Sequence, residues 1–176
     1  MAETVRLVSK IVIRGRIEDV WREITKTDEP QQAMFNARMH TGGLAPGAPI
    51  QMRTPDNKYT SIVGEILECD PPRRLSHTMK FTPYDDPYCK VTYDLVEVED
   101  GIEFTLTSED VPAHTKTAKD MARGGDFIVK TLKEVVEKGR PALGTRLLYR
   151  LFGVLGPLMS PRKSRTSNWQ LERRAS

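Results

Sequence analysis

The sequence predicts an α+β protein in which one long helix covers a face of an antiparallel β-sheet. Apolar and polar residues alternate with the two-residue period of a half-buried strand in several segments between residues 5 and 108. A helical stripe with a period of about 3.6 residues follows only after them, over residues 128–136. Because strands and long helix are segregated along the chain, we expect an antiparallel sheet with one face against the helix.

The chain begins with a predicted strand and a short predicted helix. Residues 5–14 alternate and are rich in β-branched side chains, which favours a strand. Gly15 ends this strand, and one face of a helix is then formed by Ile17, Val20, Trp21 and Ile24. Residues 31–35 are interpreted as a second helical turn, and residues 42–47 as a loop.

The central part of the sequence predicts five or six strands joined by tight turns. A strand begins at residue 50, and further strands are expected at residues 60–69, 75–81, 89–95 and 102–108. Turn chemistry separates them, with Asp100-Gly101 as the strongest hairpin signal. The alternation predicts which side chains lie on the apolar face of the sheet, the face that the long helix covers. They include Met52, His77, Met79, Tyr93 and Phe104.

The long helix is predicted from the stripe that contains Ile128 and Leu132, and Gly139 is expected to end it. An earlier helical piece is predicted over residues 116–123. The pair Gly124-Gly125 is interpreted as a break between the two, because glycine is unfavourable inside helices.

Composition excludes several classes of protein. The chain has 176 residues, of which 38% are hydrophobic and 29% are charged, so it is neither disordered nor a multi-span membrane protein. The N-terminal residues lack the apolar core of a secretion signal, and Cys69 and Cys89 are expected to be reduced thiols. A cytoplasmic protein is therefore expected, with a possible peripheral membrane location through its C-terminal tail.

The charge is distributed unevenly, which divides the chain into a body of residues 1–139 and a tail of residues 140–176. The tail has eight basic residues and one acidic residue, a net charge of +7, which leaves −4 on the body. Apolar residues of the tail fall on one half of a helical wheel: Leu143, Leu147, Leu148, Leu151, Phe152, Val154, Leu155, Leu158 and Met159. This basic amphipathic helix, residues 143–159, is expected to dock on its own body, on a second subunit or on an anionic membrane. Nucleic acid is not an expected partner.

Three segments resemble the START-like (SRPBCC) superfamily and its branch related to the C-terminal domain of the activator of heat-shock protein 90 ATPase. They are the Val20-Trp21 helix, the block Gly64–Leu75 with Pro71-Pro72-Arg73-Arg74, and Val91-Thr92-Tyr93 with the helix from Gly124. The resemblance implies a helix-grip fold, in which a curved antiparallel sheet wraps around a long C-terminal helix and encloses an apolar cavity. Gly124-Gly125-Asp126-Phe127 stands where the branch often has tryptophan, and Phe127 is expected to fill that place.

The candidate site is the cavity that this resemblance implies. His77 and Tyr93 are its expected polar anchors, because a buried imidazole and a buried phenol need hydrogen-bond partners. The other expected ligand-binding residues are Met52, Met79, Phe104, Met121, Phe127, Ile128 and Leu132. Each of these side chains also has a plain interpretation as core packing.

No metal site or cofactor is expected. His40, His77 and His114 are equally spaced and each precedes a threonine, but their other neighbours differ, so the spacing is interpreted as coincidence. Sequence motifs of nucleophilic, nucleotide-dependent or zinc-dependent enzymes do not occur in the chain. We therefore favour a binding protein over an enzyme.

Three functions remain open from the sequence. The first is binding of a small hydrophobic or amphipathic molecule in the cavity. The second is a polyketide-cyclase-like enzyme that uses the same cavity, since a positioned histidine or tyrosine can transfer protons without a named motif. The third is an interaction module of the chaperone-cofactor type. An open cavity of about 300 Å³ or more would favour the first two, and a closed interior the third.

Overall fold

The computed structural model describes residues 2–171, which form a seven-stranded antiparallel sheet and three α-helices. The elements in chain order are β1 (Thr4–Ile13), α1 (Ile17–Thr25), β2 (Arg38–Thr41), β3 (Pro49–Arg53), β4 (Thr60–Asp70), β5 (Arg74–Phe81), β6 (Cys89–Val98), β7 (Gly101–Pro112), α2 (Lys116–Lys138) and α3 (Leu143–Met159). Two short 3₁₀ turns, Arg162–Ser164 and Thr166–Asn168, follow α3. The predicted α+β class is confirmed.

The sheet is an antiparallel meander from β2 to β7, and β1 adds to its far edge. The strand order is β1-β7-β6-β5-β4-β3-β2. β6 and β7 pair around the predicted turn at Asp100-Gly101, with Val98 opposite Gly101. The strands predicted from alternation are therefore confirmed, and β2 is an additional strand that the sequence analysis missed.

Helix α2 is continuous, so the predicted break at Gly124-Gly125 is wrong. The helix begins after Thr115, whose hydroxyl oxygen accepts a hydrogen bond from Ala118 N at 3.1 Å, and it ends at Gly139 with φ of 75°. Helix propensity alone disfavours both glycines, but each one lies against another part of the fold: Gly124 against Phe35 and Gly125 against Ser9. A Cβ atom on Gly125 would lie 2.8 Å from Ser9 Oγ, so glycine allows the helix to approach β1 closely.

This approach fixes where α2 lies on the sheet. Among the strands, α2 packs mainly on β1 and β7, at one edge. Val129 and Leu132 are buried there with Ile13 and Phe104 in the hydrophobic core. Lys133 Nζ donates to the Val12 carbonyl oxygen at 2.6 Å and adds a polar tie. The helix packs less on the strands β3, β4 and β5.

The segment between α1 and β2 is a folded loop, and the helical turn predicted over residues 31–35 is wrong. Phe35 and Asn36 have φ values of 55° and 57°, in the left-handed region, so the chain turns there instead of continuing a helix. Gln31 and Ala37 then pair as an isolated β-bridge. A buried carboxylate holds this loop in place, since Glu23 Oε1 accepts from Ala33 N at 3.0 Å.

Helix α3 crosses the open side of the molecule and is followed by anchored chain. Before the helix, Ala142 N donates to Glu134 Oε2 at 2.8 Å. After the helix, Ser164 is buried and its Oγ accepts from Thr82 Oγ1 at 2.8 Å. No residue of α3 itself is buried. Whether residues 140–176 form a unit separate from residues 1–139 stays a prediction, and the last five residues of that range lie outside the described residues.

Gly124 and Gly125 provide a matched test of this packing. Gly125→Ala is expected to lower the free energy of unfolding by up to about 2 kcal/mol, because Ser9 Oγ must rotate out of its bond to Asp126 at a cost that exceeds the gain of about 0.4–1 kcal/mol from removing a helical glycine. Gly124→Ala is expected to raise it by about 0.4–1 kcal/mol, because its Cβ would lie 3.6 Å from the Phe35 ring, an ordinary contact. Urea denaturation measures both variants. Equal effects would contradict the close approach of α2 to β1 at Gly125.

Candidate functional site

A cavity of about 570 Å³ lies between the first half of α2 and the sheet. Strands β3 to β7 form its floor, and the loop at residues 31–39 and helix α3 form part of its rim. Most of the lining side chains are aliphatic, aromatic or methionine. The cavity exists because α2 packs at one edge of a wide sheet and does not fill the remaining concave surface.

The structure brings seven of the nine predicted site residues to this cavity. They are Met52, His77, Met79, Tyr93, Met121, Phe127 and Ile128. Phe127 stacks on Phe35 with ring centroids 4.6 Å apart.

Phe104 and Leu132 do not line the cavity. Both side chains are fully buried in the hydrophobic core beside it. Phe104 stacks behind Tyr93 with ring centroids 5.9 Å apart, so it supports the cavity wall from the core side. Alternation along β7 correctly indicated the face of Phe104 but not its distance from the cavity.

Several lining residues were missed by the sequence analysis. The loop supplies Gln31, Met34 and Phe35, and helix α3 supplies Leu148 and Phe152. The loop residues do not follow a helical or strand period, so only their clustering of apolar side chains could have indicated them. The two residues of α3 were predicted to lie on the apolar half of that helix, but nothing in the sequence tied them to the cavity.

His77 is the central polar group of the cavity. Its Nδ1 lies 2.8 Å from the Thr78 carbonyl oxygen, so Nδ1 carries the proton and donates it to that oxygen. Burial lowers the pKa of His77, because the charged imidazolium would lose its hydration. The ring is therefore neutral near pH 7, and Nε2 is left with a lone pair that can accept a hydrogen bond.

Tyr93 lies next to His77 on the neighbouring strand. Its hydroxyl group is 3.5 Å from His77 Nε2, at the outer limit of a hydrogen bond, and donates to it. Burial raises the pKa of Tyr93, so the phenol stays protonated. The long distance leaves both groups able to make a shorter bond to a third partner.

Gln31 is a lining residue that carries an unpaired acceptor buried behind the cavity wall. Its Nε2 donates to the Lys26 carbonyl oxygen at 3.1 Å, which fixes the orientation of the amide. Its Oε1 is buried and has no hydrogen-bond partner. Gln31 is fully buried and is also a lining residue.

Charged side chains reach the cavity from α2. Asp120 and Arg123 are lining residues on this helix, and Arg123 is exposed. Asp120 Oδ2 accepts from the Tyr84 hydroxyl at 2.6 Å.

Within residues 2–171, no group of three or more histidine, cysteine or acidic side chains is arranged to hold a metal ion. The three histidines have separate surroundings: His40 Nε2 contacts Asn57 Oδ1 at 2.8 Å, and His114 Nε2 lies 3.4 Å from Glu3 Oε2. Burial raises the pKa of the Cys89 thiol to about 11, so it is protonated and a poor nucleophile near pH 7.

The fold and the cavity define a helix-grip protein: a curved antiparallel sheet closed by a long C-terminal helix over an apolar interior. A family model described as Activator of Hsp90 ATPase homolog 1-like protein matches residues 14–137. The chain belongs to this family, and the resemblance stated above is confirmed. The match ends one residue before the end of α2, so α3 lies outside it. No curated protein matches the chain.

Solved structures share the fold at low sequence identity. Protein MLL2253 from Mesorhizobium loti has a TM-score of 0.63 and 17% identity, and the alignment covers 76% of this chain and 98% of that one. CalU16 from Micromonospora echinospora has a TM-score of 0.61 and 17% identity, with 90% and 95% coverage. The Aha1 dimer from Colwellia psychrerythraea has a TM-score of 0.61 and 16% identity, with 77% and 98% coverage.

The burial of His77 predicts a pH dependence of stability. As the pH falls below the ordinary histidine value of 6.5, the unfolded chain binds a proton that the folded state excludes. The free energy of unfolding is therefore expected to decrease between pH 6.5 and pH 5, by up to about 1.4 kcal/mol per pH unit for one proton. Denaturant titrations across this range measure the slope.

His77→Gln is expected to remove most of this slope. Burial also lowers the pKa of His40, so this residue contributes to the same slope. The variant His40→Gln serves as the comparison and measures that contribution. The carboxylates with lowered pKa lose their contribution at lower pH, outside this window: Asp28, Asp56, Asp85 and Glu137. An unchanged slope in His77→Gln would show that His77 is not held neutral by burial.

Proposed function

We propose that this protein binds a small, uncharged hydrophobic or amphipathic molecule in the cavity between α2 and the sheet. The cavity volume of about 570 Å³ carries the proposal. Protein interiors are normally close-packed, and ligand pockets typically measure about 300–1,000 Å³. Since its lining is mainly apolar, a ligand with an apolar body would gain burial and packing contacts there.

The proposed ligand-binding residues divide into apolar and polar groups. Methionine side chains adapt to irregular shapes, and the ring of Phe127 offers a flat contact. The polar groups are His77 Nε2 and the Tyr93 hydroxyl. A ligand hydroxyl or N–H group beside His77 would donate to Nε2 and replace the long contact with Tyr93 by a shorter hydrogen bond. The proposed ligand is therefore neutral and carries at least one hydrogen-bond donor.

Catalysis in the same cavity is the second candidate function, as in a polyketide-cyclase-like enzyme. The observation that favours it is the neutral His77 ring beside Tyr93, since a neutral imidazole in a water-poor cavity can accept a proton. Among the described residues, the hydrogen-bond partners of His77 are the Thr78 carbonyl oxygen and the Tyr93 hydroxyl. Neither of these groups is ionised or placed to orient a nucleophile. Binding is therefore the function that we favour, and proton transfer would have to use His77 and Tyr93.

An interaction module of the chaperone-cofactor type is the remaining alternative, and the family description includes a chaperone ATPase activator. The expectation for such a module was a closed, well-packed interior. A cavity of this size supports binding of a small molecule instead. The proposal requires no metal or cofactor.

The proposed setting is the cytoplasm, where both cysteines would stay reduced; Cys69 and Cys89 are free thiols in the structure. No helix in the described part of the chain has the length and apolar character needed to cross a bilayer. Helix α3 is the proposed contact surface for a membrane or a second copy of the chain. The solved Aha1 dimer is a precedent for self-association in a related fold.

A matched pair of tryptophan variants on β4 tests whether the cavity is the binding site. Ile62 lines the cavity, whereas Leu67 is 41% exposed on the same strand and lies outside it. Ile62→Trp is expected to weaken binding of the neutral probe N-phenyl-1-naphthylamine at least tenfold, because the indole fills part of the cavity. Leu67→Trp is expected to leave binding unchanged. Fluorescence titration measures both, and equal affinity in the two variants would place the probe elsewhere.

A second pair of variants tests the polar anchors. His77→Phe and Tyr93→Phe keep an aromatic ring but remove one hydrogen-bonding group each. Both are expected to weaken binding of 1-naphthol by about 5- to 100-fold, the range for one lost or unpaired buried hydrogen bond. Binding of naphthalene, which lacks the hydroxyl group, serves as the control and is expected to change less than threefold. Equal losses for the two ligands would show that these residues only shape the cavity.

A further inference from the structure

We propose that helix α3 is the lid of the cavity and that its outward face docks on an anionic lipid bilayer. The lid role rests on the proposed function of the cavity, whereas the docking role rests on the surface of α3 alone.

The position of α3 indicates the lid role. Leu148 and Phe152 are both lining residues, so the helix closes part of the mouth. Between them, the Tyr149 hydroxyl donates to the Gln32 carbonyl oxygen at 2.6 Å. The Tyr149 ring also meets the edge of Phe127, with centroids 6.4 Å apart. These contacts link α3 to the loop and to α2, the two other parts of the rim.

The exposed face of α3, next to the one that carries Leu148 and Phe152, is apolar and uncovered in this structure. Starting at Leu143, aliphatic residues recur at i+4, i+8, i+11 and i+15, the spacing of one helical face. Their exposed fractions are large: Leu143 78%, Leu147 66%, Leu151 51%, Val154 74% and Leu158 83%. An aliphatic row of this length is a contact surface, since single exposed apolar residues are ordinary but contiguous patches are not.

Charge identifies an anionic partner for this surface. Over residues 140–171 the chain has no acidic side chain and six basic ones, of which Lys163 is paired with Asp85 at 3.0 Å; the others are Arg140, Arg146, Arg150, Arg162 and Arg165. Of these, Arg150 is exposed beside the apolar row, one helical turn from Leu147 and Val154. Aliphatic residues bordered by arginine suit the boundary between acyl chains and anionic headgroups, where a helix lies parallel to the membrane.

A second copy of the chain fits this surface less well. In a symmetric dimer the same patch faces itself, so α3 would pack on α3. Arg146 and Arg150 of the two copies would then approach each other without any carboxylate on the helix to pair with them. Like charges at an interface are unfavourable, whereas an anionic bilayer provides a counter-charge for every arginine.

The sequence of α3 also permits the lid to move. Gly144, Gly153 and Gly156 have no neighbouring atom within 4 Å of an added Cβ, so packing does not require glycine at any of them. Each glycine weakens a helix relative to alanine, and Pro157 removes a further backbone hydrogen bond. The 3₁₀ turns after α3 are hydrogen-bonded to the body of the protein. They would keep the C-terminal end of α3 close to the cavity while the helix itself moves away from the mouth.

Vesicle flotation tests docking with the full chain. We expect it to float with vesicles of 70% phosphatidylcholine and 30% phosphatidylserine, and at least fivefold less with phosphatidylcholine alone. Leu147→Gln/Leu151→Gln is expected to abolish flotation. Val96→Gln, which changes an aliphatic residue that is 54% exposed on β6, is the matched control and is expected to float like wild type.

Three outcomes would overturn the docking role. They are no flotation of the wild type, equal flotation with both vesicle types, and equal losses in the α3 and β6 variants. Sedimentation velocity identifies the other occupant: a wild-type dimer that Leu147→Gln/Leu151→Gln dissociates would assign the face to a second copy of the chain. Circular dichroism confirms that both variants are folded.

Dissociation kinetics test the lid without membranes. Tyr149→Phe removes the bond to Gln32, so N-phenyl-1-naphthylamine is expected to dissociate about two- to tenfold faster, the range for one such hydrogen bond. Tyr88→Phe is the control, because Tyr88 is 51% exposed and does not line the cavity. If the wild type binds no probe, the proposed function fails. If it binds the probe but Tyr149→Phe dissociates at the wild-type rate, only the lid role fails.

Discussion

The edge position of α2 on the sheet is the constraint on which the rest of the structure depends. An α-helix with its side chains is about 10 Å wide and neighbouring strands are about 4.8 Å apart, so one helix covers about two strands. Here α2 packs mainly on β1 and β7, where Gly125 lets the helix come close to Ser9. The concave surface of the other strands stays open, and the loop at residues 31–39 and α3 complete its enclosure. The cavity follows from this geometry.

The sequence predicted most of the fold and most of the cavity because both depend on periodicity. A two-residue period places His77, Met79 and Tyr93 on one face, and the helical stripe of α2 supplies the opposite wall. Periodicity does not reveal where along a face the helix lies, so Phe104 and Leu132 were assigned to the cavity although they belong to the core. This distinction is set by tertiary packing and has no local signal.

Two other predictions, the helix break at Gly124-Gly125 and the helical turn over residues 31–35, are also wrong because of tertiary packing. The pair Gly124-Gly125 has low helix propensity, but tertiary contacts override propensity where a close approach needs a missing Cβ. The residues around Phe35 look helical locally, yet left-handed backbone at Phe35 and Asn36 turns the chain toward the cavity rim. Asparagine adopts this conformation more readily than most residues, but phenylalanine does not, so the sequence does not indicate two successive left-handed residues here.

The charged side chains of Glu23 and Lys26, next to the loop that lines the cavity, pair with each other and do not face the cavity centre. Glu23 and Lys26 form a buried ion pair with 2.7 Å between Oε2 and Nζ. Removing one partner of such a pair costs about 3–5 kcal/mol, because a single buried charge remains. Since Glu23 also accepts from Ala33 N, the pair stabilises the loop that presents Gln31 to the cavity. The groups left to meet a ligand at the floor are neutral, which is why the proposed ligand is uncharged.

The energies of lid closure and of membrane contact come from different parts of α3. Closure depends on the hydrogen bonds of Tyr149 to Gln32 and of the Tyr59 hydroxyl to the Pro157 carbonyl oxygen, each contributing about 0.5–1.5 kcal/mol, and on the partial burial of Leu148. Full burial of a single leucine side chain contributes about 1.5–3 kcal/mol, and the outward face of α3 presents four of them with Val154. Because this outward face is exposed with α3 closed, its insertion into a bilayer does not by itself favour a displaced helix. The two roles are coupled only through Leu148 and Phe152, which line the cavity with α3 closed and would become available to the acyl chains if the helix moved away, at the place where an apolar ligand could leave or enter without crossing water.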